Sequence, residues 1–499
     1  MSPWRLGLWP RSRDPIAGFA SADAFSPETS GLQLLPIRFE RLGPDRFLVG
    51  NMVGDMAEMT AIELDRLCAL DLTPGDGLCE RAFEKLFVMS ADQRAQPQLL
   101  ALRLRSRLSF LRAATPLHLF VVTLRCEHSC PYCQVSRQSK DRVRYDMDQA
   151  TASKALDIAL SAPAPLIKIE FQGGEPLLNF ELIRWIVVAA KERAIPIGKR
   201  LQFVIATNLA LLNDEVLDFC AEHDVHFSTS LDGPRDLHNK NRPRRGQNSY
   251  ELAVAGIARI KERLGPDKVG ALMTTTEASL DRVEGIVDEY VRQGLDGIFL
   301  RPLSPYGFAI KTKQFHKYGA REWLQFWKRG LRYILEINKS GRRFPEFYSA
   351  LILRRMLSDE PIGYVDLRSP AGIGLGALVY NYDGAVFASD EARMLAEMGD
   401  RSFELGNVRE HGYRELVLSD TLVSAVADSL TQTAPQCSTC VFEPNCGADP
   451  VYHHATQNDV LGIKPLSEFC ERQKGVITHL FELLEHFPED AAILRMWSS

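Results

Sequence analysis

From His118 to about residue 300 the chain repeats one unit, a short apolar run followed by a longer stretch with helical spacing. The runs at 119–124, 167–171, 202–206, 226–231, 269–273 and 297–300 are mostly apolar, as strands covered on both faces must be. Helical patterns near 147–160, 181–191, 214–223, 250–263 and 280–293 fill the gaps. Such alternation predicts an α/β fold with parallel strands and helical crossovers, and six units make a partial (β/α)6 version of the eight-unit barrel. In that architecture chemistry gathers at the carboxyl ends of the strands.

The flanks read differently. Before the barrel, apolar runs at 35–39 and 47–51 sit either side of Gly43-Pro44-Asp45, a hairpin signal. Ile62, Leu64, Leu67, Cys68 and Leu70 then lie close to one helical face, with Thr60 and Glu63 spaced as a capping box. Leu102, Leu104, Leu108 and Leu111, interleaved with Arg103, Arg105, Arg107 and Arg112, predict a linking helix. After the barrel, Trp323, Phe326, Trp327, Tyr333 and Phe347 mark a helical stretch that packs on it; beyond Pro361 the chain turns irregular and Gly-rich until a last helix near 466–485. The expected divisions are 1–113, 114–320, 321–365 and 366–499.

With 59 basic against 64 acidic side chains the net charge is −5, which provides no field for nucleic acid. No run of 18 apolar residues is present, and arginines and prolines interrupt the first twenty positions, so neither a membrane span nor a signal peptide is expected and the cytoplasm is the expected compartment. Ten cysteines are too few for a disulfide scaffold and are unevenly placed, which points to metal. Cys68 and Cys220 fall in apolar helical patterns and read as core fillers; Cys79 lies in a turn-rich stretch.

Cys126, Cys130 and Cys133 follow the first barrel strand with the spacing C-x3-C-x2-C. Three thiolates on one loop can hold three irons of a 4Fe-4S cluster and leave the fourth open, whereas zinc would need a fourth protein ligand, for which His128 is the neighbour on offer. After the second strand comes Gly173-Gly174-Glu175-Pro176, glycines that admit a ligand close to the backbone and an acid that can accept from an ammonium group. Together these segments resemble the radical S-adenosylmethionine (SAM) enzymes. The resemblance implies that the three cysteines hold the cluster, that SAM chelates the open iron, that Tyr132 lies close to the adenine and that the Gly173 to Pro176 segment receives the methionine amino group. It also places Thr207-Asn208 and Ser230-Leu231-Asp232-Gly233 near the ribose and methionine carboxylate, with Arg242 as an addition beside a basic loop. The implied chemistry is one-electron cleavage of SAM to a 5′-deoxyadenosyl radical, with a flavodoxin or ferredoxin as reductant.

Cys437, Cys440 and Cys446 are spaced C-x2-C-x5-C, and Cys470 follows; four thiolates suit zinc or a 4Fe-4S cluster equally. The segment resembles the SPASM extension of radical SAM maturases, whose fullest members hold two auxiliary clusters. Ser389, the stretch from Ala371 to Gly376, and Pro450 stand where that pattern has further cysteines, so the resemblance implies one auxiliary cluster, on Cys437, Cys440, Cys446 and Cys470. In related sulfatase maturases an acid at the place of Asp390 serves as a base toward the substrate; the local charges of Asp390, Glu391 and Arg393 also suit a surface turn. His453 and His454 are expected to support the site or lie at the surface.

The N-terminal extension, the Ser389 to Arg393 segment and the Cys446 to His454 segment are similar to His-Xaa-Ser system radical SAM maturases. That similarity implies a peptide or protein partner with His-Xaa-Ser repeats and a second radical SAM protein. The N-terminal unit resembles winged-helix elements that grip a leader peptide along a sheet edge; a cap on the barrel is the other reading. Two alternatives stand beside the maturase: a formylglycine-forming sulfatase maturase and a zinc-binding scaffold without catalysis.

Overall fold

The computed structural model describes residues 31–90, 95–362 and 365–498. They belong to two compact units, one ending at Leu104 and the other beginning at Arg105. The first twenty positions, with the expectation of no signal peptide, lie outside the described residues.

In the first unit the strands are β1 (Leu32–Leu34), β2 (Ile37–Gly43), β3 (Arg46–Asn51), β4 (Met56–Met59) and β5 (Val88–Ser90). The expected hairpin is β2 with β3, and β4 extends it into an antiparallel sheet; β1 pairs separately with β5. The helix Ala61–Ala69 starts with the expected capping box, Thr60 and Glu63 each satisfying the other's backbone N–H. Its buried side chains are Leu64 and Leu67. Cys68 is exposed, not a core filler, because it lies off that buried face, whereas Cys79 is buried in the helix Gly77–Glu84.

The second unit is built on β6 (Leu117–Thr123), β7 (Leu166–Gly173), β8 (Arg200–Thr207), β9 (Val225–Ser230) and β10 (Val269–Leu272), all parallel. Helices Gln149–Ser161, Phe180–Ala194, Asp214–His223 and Ser249–Arg263 supply the crossovers, and Val283–Arg292 follows β10. The pleat sorts the residues of β7: Ile167, Ile169 and Phe171 are fully buried, while Glu170 and Gln172 line a cleft at the opposite face. Cys220 is buried in the outer layer, as expected.

The sixth expected strand, 297–300, does not join the sheet. Ile298 forms a single bridge with Glu346, and the Leu300 N–H is taken by the Glu346 carboxylate at 3.1 Å, so its backbone partners lie outside the ladder. The sheet instead continues on the other side of β6, where β11 (Ala377–Tyr380) pairs in parallel and leads through β12 (Ala385–Phe387) to β13 (Glu404–Asn407). The order is β10-β9-β8-β7-β6-β11-β12-β13.

The helix Ala320–Lys339 buries Trp323, Phe326 and Trp327, and the two indoles stack at 6.2 Å, as packing and not a cofactor box. Glu346 anchors this layer: fully buried, it accepts from the Trp327 indole N–H, the Ser349 N–H and hydroxyl, and the Leu300 N–H. Glu346→Ala is expected to lower unfolding stability by about 3 kcal/mol, because buried donors without partners cost roughly 1–3 kcal/mol each and repacking recovers only part. Chemical denaturation of the two proteins measures it. Among the described residues no helix is long and apolar enough to cross a membrane.

Candidate functional site

The loop after β6 carries the first three cysteines, and local bonds fix its shape. Arg125 makes a two-pronged pair with Asp146, both contacts at 2.7 Å, and donates to the Leu178 carbonyl at 2.8 Å. The Phe308 N–H donates to the Cys133 carbonyl at 2.7 Å and closes the far end. Cys126, Cys130 and Cys133 line one cleft, of about 230 Å³, at the carboxyl ends of the barrel strands. Burial pushes the Cys130 thiol up to about 12, with the Arg242 charge working against it and Cys133 adding to it; burial raises Cys126 as well.

His128 does not complete a metal site. Its imidazole is bonded on both nitrogens, Nδ1 to Glu127 at 2.9 Å and Nε2 to the Ser249 hydroxyl at 2.8 Å. The ligand atoms of Cys126, Glu127 and His128 lie within 4.8 Å of one another, the one such trio of candidate ligands among the described residues. The donor chemistry of the loop, three thiols without a spare imidazole, fits a cluster with one open corner.

Gly173 and Gly174 line the same cleft. A Cβ on Gly174 would stand 2.3 Å from the Arg125 carbonyl oxygen and one on Gly173, at φ +142°, 1.9 Å from that of Thr123, so only glycine lets the ends of β6 and β7 come together. Glu175 is not presented to the cleft. It is 1% exposed, and its carboxylate accepts from the Leu177 N–H at 3.0 Å, the Thr207 hydroxyl at 2.6 Å and the Asn208 N–H at 2.9 Å. Burial, and then the Glu127 charge, hold its carboxyl above the usual range. Glu175 thus locks the β7 and β8 ends together, and Pro176 starts a buried 3-10 turn beside it.

Asn208, from the end of β8, lines the cleft and donates to Glu127 at 2.9 Å; Ser230, from the end of β9, lines it too. Asp232 is fully buried beneath, paired with Arg242 at 3.1 Å and accepting from the Tyr132 hydroxyl at 2.5 Å. The Arg242 guanidinium lies 5.5 Å from the Tyr132 ring centre and, with its side chain 14% exposed, turns inward to Asp232 and is not part of a solvated basic loop. Tyr132 and Arg242 face the cleft while Asp232 holds both in place.

Asp390 also reaches the cleft. Ser389 caps the helix Asp390–Ala396 by accepting from the Ala392 N–H, which puts Asp390 at the first helical position. Asp390 pairs with Arg393 at 3.1 Å, and Arg393, fully buried, donates to the Val135 carbonyl of the cysteine loop at 2.9 Å. The charges do pair, but at the cleft wall. Arg301 lines the cleft as well and escaped the sequence reading, although its place just after the sixth apolar run is the signal that finds it.

Cys437, Cys440, Cys446 and Cys470 meet elsewhere in the unit. The first three lie in turns around the short helix Glu443–Asn445, and Cys470 sits in the first turn of Glu468–His486. Burial raises Cys446, and the Cys470, Cys440 and Cys437 thiols add to the rise, so the four share one neighbourhood. Nearby His453 is buried between the Asp449 carbonyl and the Ser467 hydroxyl, and His454 bonds Asp400 at 2.7 Å, both supporting roles.

A family model described as the Radical SAM superfamily matches residues 120–290. Among curated proteins, an uncharacterized protein of Methanocaldococcus jannaschii is 32% identical over 185 residues, covering 37% of this chain and 61% of that protein. An uncharacterized protein of Methanothermobacter thermautotrophicus is 30% identical over 190 residues, 38% of this chain and 68% of that protein. The serine-type anaerobic sulfatase-maturating enzyme of Klebsiella aerogenes is 25% identical over 221 residues, 43% of this chain and 53% of that enzyme. The chain thus spans about half to two thirds of these relatives' length. Among solved structures, native anSMEcpe with bound AdoMet superposes with a TM-score of 0.63 at 16% identity over 76% of this chain and all of that one. Streptococcus suis SuiB bound to precursor peptide SuiA gives 0.52 at 14% identity over 87% and 98%. At such identities the likeness is one of fold.

Proposed function

Because this chain belongs to the radical SAM superfamily, we propose that it cleaves SAM reductively and uses the resulting radical to modify a ribosomally made peptide or protein, of the His-Xaa-Ser type. The observation that carries this reading is the convergence in one cleft of Cys126, Cys130 and Cys133 with Gly174, Arg242 and Asp390. When bound, a 4Fe-4S cluster of a class whose potentials reach about −700 mV supplies the single electron that breaks a carbon-sulfur bond of SAM to give a 5′-deoxyadenosyl radical. The three cysteines would hold it, and Cys437, Cys440, Cys446 and Cys470 would hold one auxiliary cluster.

The remaining work belongs to the chain. Gly173 and Gly174 offer strand-end backbone to the methionine amino group, while Tyr132, oriented by Asp232 and Arg242, offers an aromatic edge to the adenine. Asn208 and Ser230 offer polar contacts to the ribose and carboxylate. Once the 5′-deoxyadenosyl radical has taken a hydrogen atom from the substrate, Asp390, held by Arg393, accepts the proton lost next, and the second cysteine set would hold the cluster that accepts the remaining electron. The Phe308 N–H to Cys133 carbonyl bond ties the segment after the barrel helices to the cysteine loop at the edge of the cleft. The reducing cytoplasm is the compartment in which this chemistry survives, with a flavodoxin or ferredoxin as electron donor and a second radical SAM protein as companion. The sheet edge of the N-terminal unit is our candidate for gripping the peptide.

Anaerobic reconstitution tests the reading. The protein should be brown, hold about eight irons, and release 5′-deoxyadenosine when given SAM and dithionite. A colourless zinc protein would restore the scaffold alternative. Asp390→Asn is expected to keep SAM cleavage and lose substrate modification by roughly a hundredfold or more, the usual reach of a general base; unchanged product by mass spectrometry would remove Asp390 from the mechanism. The match to the Klebsiella aerogenes sulfatase-maturating enzyme favours a second reading, formylglycine formation. Incubation with a sulfatase-derived peptide separates the two.

A further inference from the structure

A second, smaller cavity of about 60 Å³ shares the Arg301 side chain with the cleft. At 10–15 Å³ for each water-sized position, that is room for roughly four to six waters or the tip of one side chain. Three carboxylates line it, Asp366, Glu391 and Asp449, brought from three separated segments of the chain. Burial raises the proton affinity of all three; Asp449 and Glu391 add to the rise at Asp366, Asp390 adds to it at Glu391, and Glu391 adds to it at Asp449. Two guanidinium groups stand at the wall: Arg301 works against the rise at Asp366 and Glu391, and Arg472 works against it at Asp449 while also engaged with Glu468 at 3.6 Å and with the Tyr452 ring, so three acids face two bases.

Polar groups without partners point the same way. The Tyr306 hydroxyl, the Trp323 indole nitrogen and both ends of the Gln473 amide have no hydrogen bond, and each side chain is 1% exposed. All three residues line this cavity. Unsatisfied buried groups cost roughly 1–3 kcal/mol each, so a fold that gathers them around one space is prepared for a guest that bonds to them. The one acid in excess, with the Tyr306 hydroxyl and Gln473 amide oxygens as further acceptors, calls for a donor-rich cation; the Trp323 and Gln473 N–H groups, which a cation cannot satisfy, are left to water that enters with it. Asp390 lines the cleft while the next residue, Glu391, lines the cavity, so one helix start stands between the two.

We infer that this cavity binds the cationic tip of a substrate side chain, an ammonium, guanidinium or imidazolium group, next to the residue that reacts in the cleft. The assignment rests on the peptide-modifying reading above. Calorimetric titration of the reconstituted full-length protein with n-butylammonium and methylguanidinium chloride, and with n-butanol as the neutral match, tests it. The cations should bind and butanol should not, and Glu391→Gln should weaken cation binding roughly tenfold, the cost of one charge-assisted bond. Equal binding of butanol and butylammonium, binding of neither, or butylammonium binding unchanged in the variant would overturn the inference. Magnesium binding with no amine binding would overturn it too and give the cavity to a metal. The contrast between cation and alcohol in the wild-type protein stands even if the variant fails to fold. 5′-Deoxyadenosine release, measured on the same wild-type sample, reports the enzymatic reading separately: SAM cleavage without cation binding removes the cavity assignment alone, and cation binding without SAM cleavage removes the enzymatic reading.

Discussion

Alanine at Cys126, Cys130 or Cys133 is expected to abolish 5′-deoxyadenosine formation while leaving the fold, and the iron proposed for the second cysteine set, in place. No neighbour can substitute for a lost thiol: both His128 nitrogens are bonded, and Glu127 is occupied by His128 and Asn208. The loop itself does not depend on metal for its course, because the Arg125 to Asp146 pair and the Gln138 N–H to Leu124 carbonyl bond, at 2.8 Å, pin it to β6. Circular dichroism should therefore match the wild-type protein. Iron should fall by about four atoms per chain, the content of one cluster. Retained 5′-deoxyadenosine in all three variants would end the proposed function.

The second large effect is expected of Gly174→Ala, with a loss of SAM affinity on the order of a hundredfold, equivalent to about 2.7 kcal/mol. The added Cβ would meet the Arg125 and Leu124 carbonyl oxygens at 2.3 and 2.6 Å, and backbone oxygens cannot swing aside as a flexible side chain can. The strand ends must part. That breaks the bonds from the Gly174 N–H to Thr123 and from the Glu175 N–H to Arg125, at 2.8 and 2.7 Å, which hold the cysteine loop against the end of β7. Overpacking of this kind costs roughly 1–3 kcal/mol before any ligand is considered. Equilibrium binding of SAM to the two proteins measures the loss; equal affinities would show that these strand ends take no part in holding it.

Much of this site was legible because its parts are local. The C-x3-C-x2-C loop, the double glycine and the strand ends each announce themselves within a few residues, and the apolar runs place them at the same end of one sheet. What could not be read were directions and partners. Glu175 was expected to face the ligand, yet three donors from the 3-10 turn and the end of β8 turn it inward. Arg242 looked like one more charge in a basic loop, and only the fold shows Asp232 and Tyr132 beneath it. The apolar run at 297–300 satisfied every local rule for a strand, but Glu346, 46 residues beyond Leu300, claims its backbone. The cavity of Asp366, Glu391 and Asp449 leaves no local trace, since its carboxylates come from three distant segments.

The pairing of β11 with β6 ties the fate of the barrel to the C-terminal third of the chain. A fragment cut between them would bare four residues of unbonded backbone on β6, an open flank that recruits other chains. The two parts therefore cannot be traded as interchangeable cassettes. Any redesign of the second cysteine set would have to leave that ribbon of sheet intact.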